Sequence, residues 1–362
     1  MKKKVLHIIA DLGNGGAERQ LVEILKGNSR QTLCILKSAS VYKKDLISNN
    51  IEYYELNFRN IFSIIIGYMK IVKVISYVSP DVVQAWMYNS CLVALFVKLF
   101  CKKKFFLIWS IRCSNMILKY YSISLRLSFY LCKIFSKRAH MIIYNSYSGL
   151  KYHKKLGFKN KRSKVILNGT NENIFLYSKY QKNHFRKKFK LKNSDIVLLC
   201  VARHDPMKGH DILLKGFEVA RKKNKSLKLV LIGKNTDRLS RNKNIIALGM
   251  IKDIEKYYSF ADFIILTSRF GEGFSNVLVE GMLSRLVPIS TDVGDAEIII
   301  KRTGFVFPSN SLDSLINVLN KVSNLSRKQI SSLSSFAKRR ALNNFTTKKM
   351  IQSYIETYKE LK

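Results

Sequence analysis

Short apolar runs alternate along this chain with longer segments whose apolar positions recur at helical spacing. The first run, Val5–Ala10, ends at a glycine-rich loop, Gly13-Asn14-Gly15-Gly16. Beyond it Ala17–Lys26 places Leu21, Ile24 and Leu25 on one helical face, and Gly27 supplies a stop. Runs at Thr32–Leu36, Val82–Trp86, Phe105–Ile111 and Met141–Tyr144 have the same short, unalternating pattern, which is that of strands covered on both faces. Ser146 is placed to cap the helix after the last of them. A second series follows at Ile196–Ala202, Leu227–Ile232, Asn244–Leu248, Phe263–Thr267, Val287–Ser290 and Phe305–Phe307, with helical patterns between. Strands alternating with helices predict parallel, doubly wound α/β sheets.

The polar stretch Tyr177–Asn193 separates the two series. It predicts an N-terminal domain over 1–175 and a C-terminal domain over 176–345. Residues 346–362 read as a helix with Met350, Tyr354 and Tyr358 on one face, expected to cross back to the N-terminal domain. The length of 362 residues suits two domains of about 100–200 residues each.

Composition is that of a globular protein, 47 % hydrophobic and 24 % charged, and 4 prolines leave no room for a long disordered linker. Lys2–Lys4 before Val5–Ala10 imitates the start of a signal peptide, but Asp11 ends the apolar run too early. The longest apolar stretches, Ile61–Val78 and Cys91–Phe100, are broken by Lys70, Lys73 and Lys98. No stretch reaches the roughly 18 uncharged residues of a membrane span. Six cysteines without a CxxC pair are expected to be free thiols in a reducing compartment rather than a zinc site. The expected location is therefore cytoplasmic.

Charge changes the picture. The formal net charge is +40, and no Asp or Glu occurs from Val82 to Asn171. A bias toward Lys, Ile and Asn accounts for part of the excess, but the acid-free block is a field for anionic partners. Within it Lys119, Arg126, Lys133, Lys137 and Arg138 mingle with Leu118, Leu125, Leu127, Phe129 and Tyr130. Such a segment could be a core helix with a solvated basic face, or could lie on the anionic inner face of the cytoplasmic membrane. Nucleic acid is the other anionic partner, but no recognition motif accompanies the charge.

Three loops at predicted strand ends concentrate candidate chemistry, where ligands of doubly wound sheets bind. In the first, Gly15 and Gly16 would let the backbone approach a diphosphate at a helix N-terminus. In the second, Arg203-His204-Asp205-Pro206-Met207-Lys208-Gly209, a planar guanidinium and an ammonium form a pair suited to two phosphates. In the third, Gly271 and Gly273 bracket Glu272, and Ser275 is placed to cap the helix that carries Glu280.

Together these loops resemble the family-four retaining glycosyltransferases of the GT-B fold over nearly the whole chain. The opening is similar to that family's strand–GGAE–helix start, here Gly15-Gly16-Ala17-Glu18. The second loop resembles its R-x-x-P-x-K-G stretch, and Glu272 and Glu280 its E-x7-E motif. Leu167-Asn168-Gly169-Thr170-Asn171 resembles the N-G-V-D stretch that ends the N-terminal lobe.

The resemblance implies two Rossmann-like domains facing a central cleft, and a retaining, metal-independent transfer from a nucleotide sugar, UDP-sugar favoured. It implies that Arg203 and Lys208 bind the donor diphosphate, Glu272 faces the donor sugar and Glu280 accepts from the ribose hydroxyls. Gly15, Gly16, Gly273, Phe274, Ser275, Asn276, Val277 and Leu278 would complete the donor site. No cofactor is implied; the nucleotide sugar is a substrate. The implied acceptor is a glycan, lipid-linked, in cell-surface polysaccharide or lipopolysaccharide synthesis. Its side is assigned to Asn89 and Arg112. There are departures: Asn89 stands where His is frequent after Gln84-Ala85-Trp86-Met87-Tyr88, Asn171 where Asp is usual and Gly281 where Ala is usual. The rival readings are a basic nucleic-acid- or membrane-binding protein, and a GT-B nucleotide-sugar 2-epimerase.

Overall fold

A computed structural model describes residues 3–13, 15–27, 30–39, 41–58, 62–239 and 244–361, with backbone alone for 62–66. Lys2, Asn14, Ile61 and Lys362, used above, lie outside the described residues. Two compact units result: Met1–Gly169 with Thr347–Lys362, and Thr170–Thr346.

The first unit is built on a seven-stranded parallel sheet. Its strands are β1 Val5–Ile9, β2 Gln31–Ile35, β3 Tyr53–Glu55, β4 Val82–Trp86, β5 Phe106–Ile111, β6 Met141–Tyr144 and β7 Ser163–Val165. They lie in the order β3-β2-β1-β4-β5-β6-β7. Side chains alternate faces along each strand, so Leu6 and Ile8 enter one apolar cluster while Val5 and Ile9 enter the other. Both faces are covered, which is why the strands read as unbroken apolar runs. The edge strands β3 and β7 were not expected. They are short and half-buried, and their sequences YYE and SKV offer no apolar run.

The final helix, Thr347–Lys359, packs Met350, Tyr354 and Tyr358 into the cluster that holds Val5 and Ile9. Gln20 fixes the end of the continuous part of this unit. Its side-chain amide donates to the Gly169 carbonyl at 2.9 Å and accepts from the Gly169 amide at 2.9 Å.

The second unit carries a six-stranded parallel sheet, β8 Ile196–Val201, β9 Leu227–Ile232, β10 Ile245–Ala247, β11 Phe263–Leu266, β12 Val287–Thr291 and β13 Phe305–Phe307. Its order is β10-β9-β8-β11-β12-β13. The polar stretch Tyr177–Asn193 belongs to this unit and is largely a helix, Lys179–Lys188, capped by the Ser178 hydroxyl. Its polarity hid two anchors, Phe185 and Arg186, both buried. Arg186 pairs with Asp262 at 3.0 Å, and Asp262 also accepts from Arg327 at 2.7 Å and from the Val197 amide at 2.9 Å.

Candidate active site

In the second unit the chain leaves β8 toward β9 on one side, and returns to place β11 on the other. This is a topological switch point, where the carboxyl ends of neighbouring strands diverge and leave room for a ligand. The two loops that open there are 202–209 after β8 and 267–275 after β11. Backbone and side-chain hydrogen bonds lock them together. Thr267 Oγ1 donates to the carbonyls of Lys208 at 3.1 Å and Gly209 at 3.0 Å. The Arg269 amide donates to the Met207 carbonyl at 2.7 Å. Gly209 sits at φ 63°, and a Cβ there would lie 2.2 Å from the Thr267 carbonyl oxygen, so the approach requires glycine.

Within the first loop Asp205 is the organiser. One carboxylate oxygen accepts from the Met207 amide at 2.9 Å and the other from Arg203 Nε at 3.1 Å. Burial pushes its pKa up, but these bonds and the Arg203 and Lys208 charges outweigh it and hold the carboxyl below its ordinary value. The Arg203 side chain itself is exposed. Lys208 closes a single turn, Pro206–Lys208, ahead of Gly209 and the helix His210–Lys223. It therefore precedes that helix.

Lys208 Nζ donates to Glu272 Oε1, and Ser268 Oγ donates to the same oxygen at 2.8 Å. Both charged side chains are only 15 % exposed. Burial raises the Glu272 pKa, yet the Lys208 charge and hydrogen bond, the Ser268 hydroxyl and the Arg203 charge together lower it below the usual carboxylate range. Glu272 is thus an anion at neutral pH, held by groups from both loops. Lys208 has three protons, so bonding to Glu272 leaves it donors for a phosphate.

The next loop braces Glu272 from behind. Thr291 Oγ1 donates to the Ser268 carbonyl at 2.7 Å, and the Asp295 amide to the Gly273 carbonyl at 2.9 Å. A Cβ on Gly294 would lie 2.5 Å from the Gly273 oxygen and 2.8 Å from that of Glu272. Ser268, Thr291 and Gly294 were not singled out in the sequence. A serine four residues before Glu272 was the available signal; the other two come from a loop with no motif of its own.

The helix Asn276–Leu283 begins at Ser275, as expected, but the Ser275 side chain makes no capping hydrogen bond. A helix N-terminus that its own N-cap side chain does not close, here the one that includes Val277 and Leu278, is a place where a bound anion can serve instead. Asn276 is half-buried at the start of that turn. Phe274 is buried against Phe345, with ring centroids 5.4 Å apart. Glu280 is buried as well, and its Oε2 accepts the Tyr258 hydroxyl at 2.5 Å. Gly281 has a local cause in this chain: a Cβ there would meet Ile264 Cγ2 at 2.5 Å.

The first unit has its own switch point between β1 and β4. Gly15 is the N-cap of the helix Gly16–Lys26, and a Cβ on it would lie 2.1 Å from a Glu18 carboxylate oxygen. Burial, with a contribution from Asp11, raises the Glu18 pKa against its own backbone amide. Asn89 is exposed in the first turn of the helix Met87–Phe100, which starts from Met87 at φ 65°. Arg112 is otherwise engaged. Its guanidinium lies 5.0 Å over the Trp86 ring, donates to Tyr354 Oη at 2.8 Å and also donates to Asn168 Oδ1. Arg112 joins the end of β5, Asn168 and the final helix inside the unit. A cavity of about 700 Å³ in this unit is lined by Lys4, Lys26, Arg30 and Glu52, at the amino ends of the strands rather than near these loops. Among the described residues no group of three or more His, Cys, Asp or Glu is placed to hold a metal ion, and no helix is long and apolar enough to cross a membrane.

Residues 195–324, all in the second unit, match the family described as Glycosyl transferases group 1. Along 98 % of its length the chain is 23 % identical to an uncharacterized 41.2 kDa protein in the cps region of Klebsiella pneumoniae, covering 99 % of that protein. It is 25 % identical over 204 residues to the lipopolysaccharide 1,2-N-acetylglucosaminetransferase of Salmonella typhimurium, covering 51 % of this chain and 53 % of that one. Among solved structures, HepE of Anabaena in complex with UDP-glucose superposes with a TM-score of 0.84 at 21 % identity, over 99 % of this chain and 100 % of that chain. The likeness establishes the GT-B fold: two α/β units with parallel sheets.

Proposed function

From a chain that carries a group 1 glycosyltransferase domain over residues 195–324, we infer a retaining transferase that moves a sugar from a nucleotide diphosphate sugar to a glycan acceptor. UDP is the favoured base carrier, supported by the HepE complexes with UDP and UDP-glucose. A lipid-linked acceptor in cell-surface polysaccharide or lipopolysaccharide synthesis is supported by the cps-region and lipopolysaccharide relatives. Such an acceptor places the reaction on the inner face of the cytoplasmic membrane.

The observation that carries the reading is the Lys208–Glu272 pair, held by Ser268 at the carboxyl ends of β8 and β11. Arg203 and Lys208 meet the charge of the donor diphosphate, and the start of the helix Asn276–Leu283, which the Ser275 side chain does not cap, adds amide donors. The anomeric C–O bond to the diphosphate breaks and a new C–O bond to the acceptor hydroxyl forms on the same face. The acceptor proton passes to the departing phosphate oxygen. Glu272, kept anionic, accepts from hydroxyls of the donor sugar, and Glu280 accepts from the ribose.

The test is thermal stability with UDP, GDP or ADP, wild type beside Lys208→Ala. Saturation at about 100 times Kd should add about 2.7 kcal/mol. One nucleotide should stabilise the wild type and leave the variant unmoved. No response to any nucleotide, with or without acceptor, would contradict the reading.

A further inference from the structure

The helix Ile123–Phe135 has two faces of opposite character. Phe129 and Cys132 are buried, and Leu125 and Leu131 pack partly against the same apolar cluster. The outward face carries Ile123, Leu127, Tyr130 and Ile134, which are 79, 59, 52 and 67 % exposed. Their spacing, i, i+4, i+7 and i+11, makes one continuous apolar stripe. The sequence pattern had pointed to Leu118, Leu125 and Phe129 as well, but those are committed inward.

The charges on this helix and in the segments that flank it in sequence are all positive. Lys119, which lies 5.3 Å over the Tyr120 ring, precedes the helix, and Lys133, Lys137 and Arg138 are exposed at its end. The neighbouring helix Met87–Phe100 packs against it, leaves Phe96, Leu99 and Phe100 exposed, and runs into Lys102, Lys103 and Lys104. No acid occurs anywhere from residue 82 to 171.

We propose that the Ile123–Ile134 stripe is a docking surface for an anionic phospholipid bilayer, on which the helix lies in the interface plane. An apolar stripe flanked by Lys and Arg is the arrangement that buries side chains at the acyl boundary while cations meet the headgroups. A second copy of the chain fits worse, because each copy carries +40 and the flanks would face like charge. The inference deepens the proposed function, from which it takes only the lipid-linked acceptor.

The experiment is co-sedimentation of the full chain with phosphatidylcholine vesicles, with or without phosphatidylglycerol, at low and high salt. Wild type should bind the anionic vesicles, lose affinity as salt rises and ignore pure phosphatidylcholine. Leu127→Glu with Ile134→Glu should weaken binding at least roughly tenfold, and so should Lys133→Glu with Lys137→Glu. Far-UV circular dichroism and the nucleotide thermal shift should be unchanged in both pairs. That shift reads the donor site without lipid, so loss of nucleotide response and loss of vesicle binding are separate failures. No binding of wild type at any salt would overturn the proposal. So would binding unaffected by the apolar pair, or a self-associated chain that this pair dissolves.

Discussion

Tyr258 donates its hydroxyl proton to Glu280 across 2.5 Å inside the second unit, and both side chains are buried. The tyrosine comes from the segment after the turn Ile254–Tyr257, the carboxylate from the helix Asn276–Leu283. A buried carboxylate is costly without donors, so this bond fixes where Glu280 points.

Tyr258→Phe removes only the hydroxyl. It should raise the Kd for the preferred nucleoside diphosphate roughly tenfold, about 1.4 kcal/mol, and leave turnover at saturating donor nearly unchanged. Calorimetric titration with the nucleotide, beside steady-state kinetics, separates the two effects. An unchanged Kd would show that the bond serves packing alone.

Glu272→Gln keeps the shape of the loop and removes the charge. Turnover should fall roughly 100-fold, while the nucleoside diphosphate still binds through Arg203 and Lys208. The pH profile tests the same group. Its carboxyl is held below the usual range, so the anion persists as pH falls and is lost only on passing that lowered value. Ser268→Ala removes one of the lowering hydrogen bonds, and the acidic limb of the activity profile should move to higher pH. A limb that stays in place would detach Ser268 from Glu272.

His7 sets a separate pH dependence, of stability. Trp86 Nε1 donates to His7 Nδ1 at 3.0 Å, so Nδ1 is the acceptor and Nε2 bears the proton toward Gln31 Oε1 at 3.1 Å. Burial lowers its pKa from 6.5 to about 4, against the Gln31 bond that raises it. The unfolded chain takes up the proton first, so stability falls as pH drops from 6.5 toward 4. At about 1.4 kcal/mol per unit, the ceiling is about 3 kcal/mol. Burial is also the main cause that lowers His153 and His210 to about 4, which steepens the loss. Melting temperatures across this range should fall, and His7→Gln should flatten the slope.

Asp262 accepts from Arg186, Arg327 and the Val197 amide. Asp262→Ala leaves the buried Arg186 with carbonyl acceptors but without its carboxylate, and should cost about 3–5 kcal/mol. Asp262→Asn, which keeps an acceptor, should cost less. Urea denaturation followed by far-UV circular dichroism measures both.

Most of the fold was legible because parallel strands covered on both faces leave unbroken apolar runs, as at Val82–Trp86 and Leu227–Ile232. Strands β3 and β7 were not, because edge strands need no apolar run. The stretch Tyr177–Asn193 read as a break because a buried Arg186 looks the same in sequence as a solvated one. At the candidate site, Arg203, Lys208 and Glu272 stood out by residue type, but their pairing depends on β8 lying beside β11, which no local spacing states. Tyr258 had no signal at all, since its partner lies 22 residues away. Arg112 was visible as a lone arginine at a strand end, yet its stacking on Trp86 and bond to Tyr354 needed the final helix in place.

The most direct measurement is release of nucleoside diphosphate from a panel of UDP-, GDP- and ADP-sugars, with and without membrane lipid extract, in wild type and Lys208→Ala. The account predicts release from one class of donor, raised by acceptor lipid and lost in the variant, with the sugar recovered in the same anomeric configuration on the acceptor. Release that is absent from every donor, or that persists undiminished without Lys208, would contradict it.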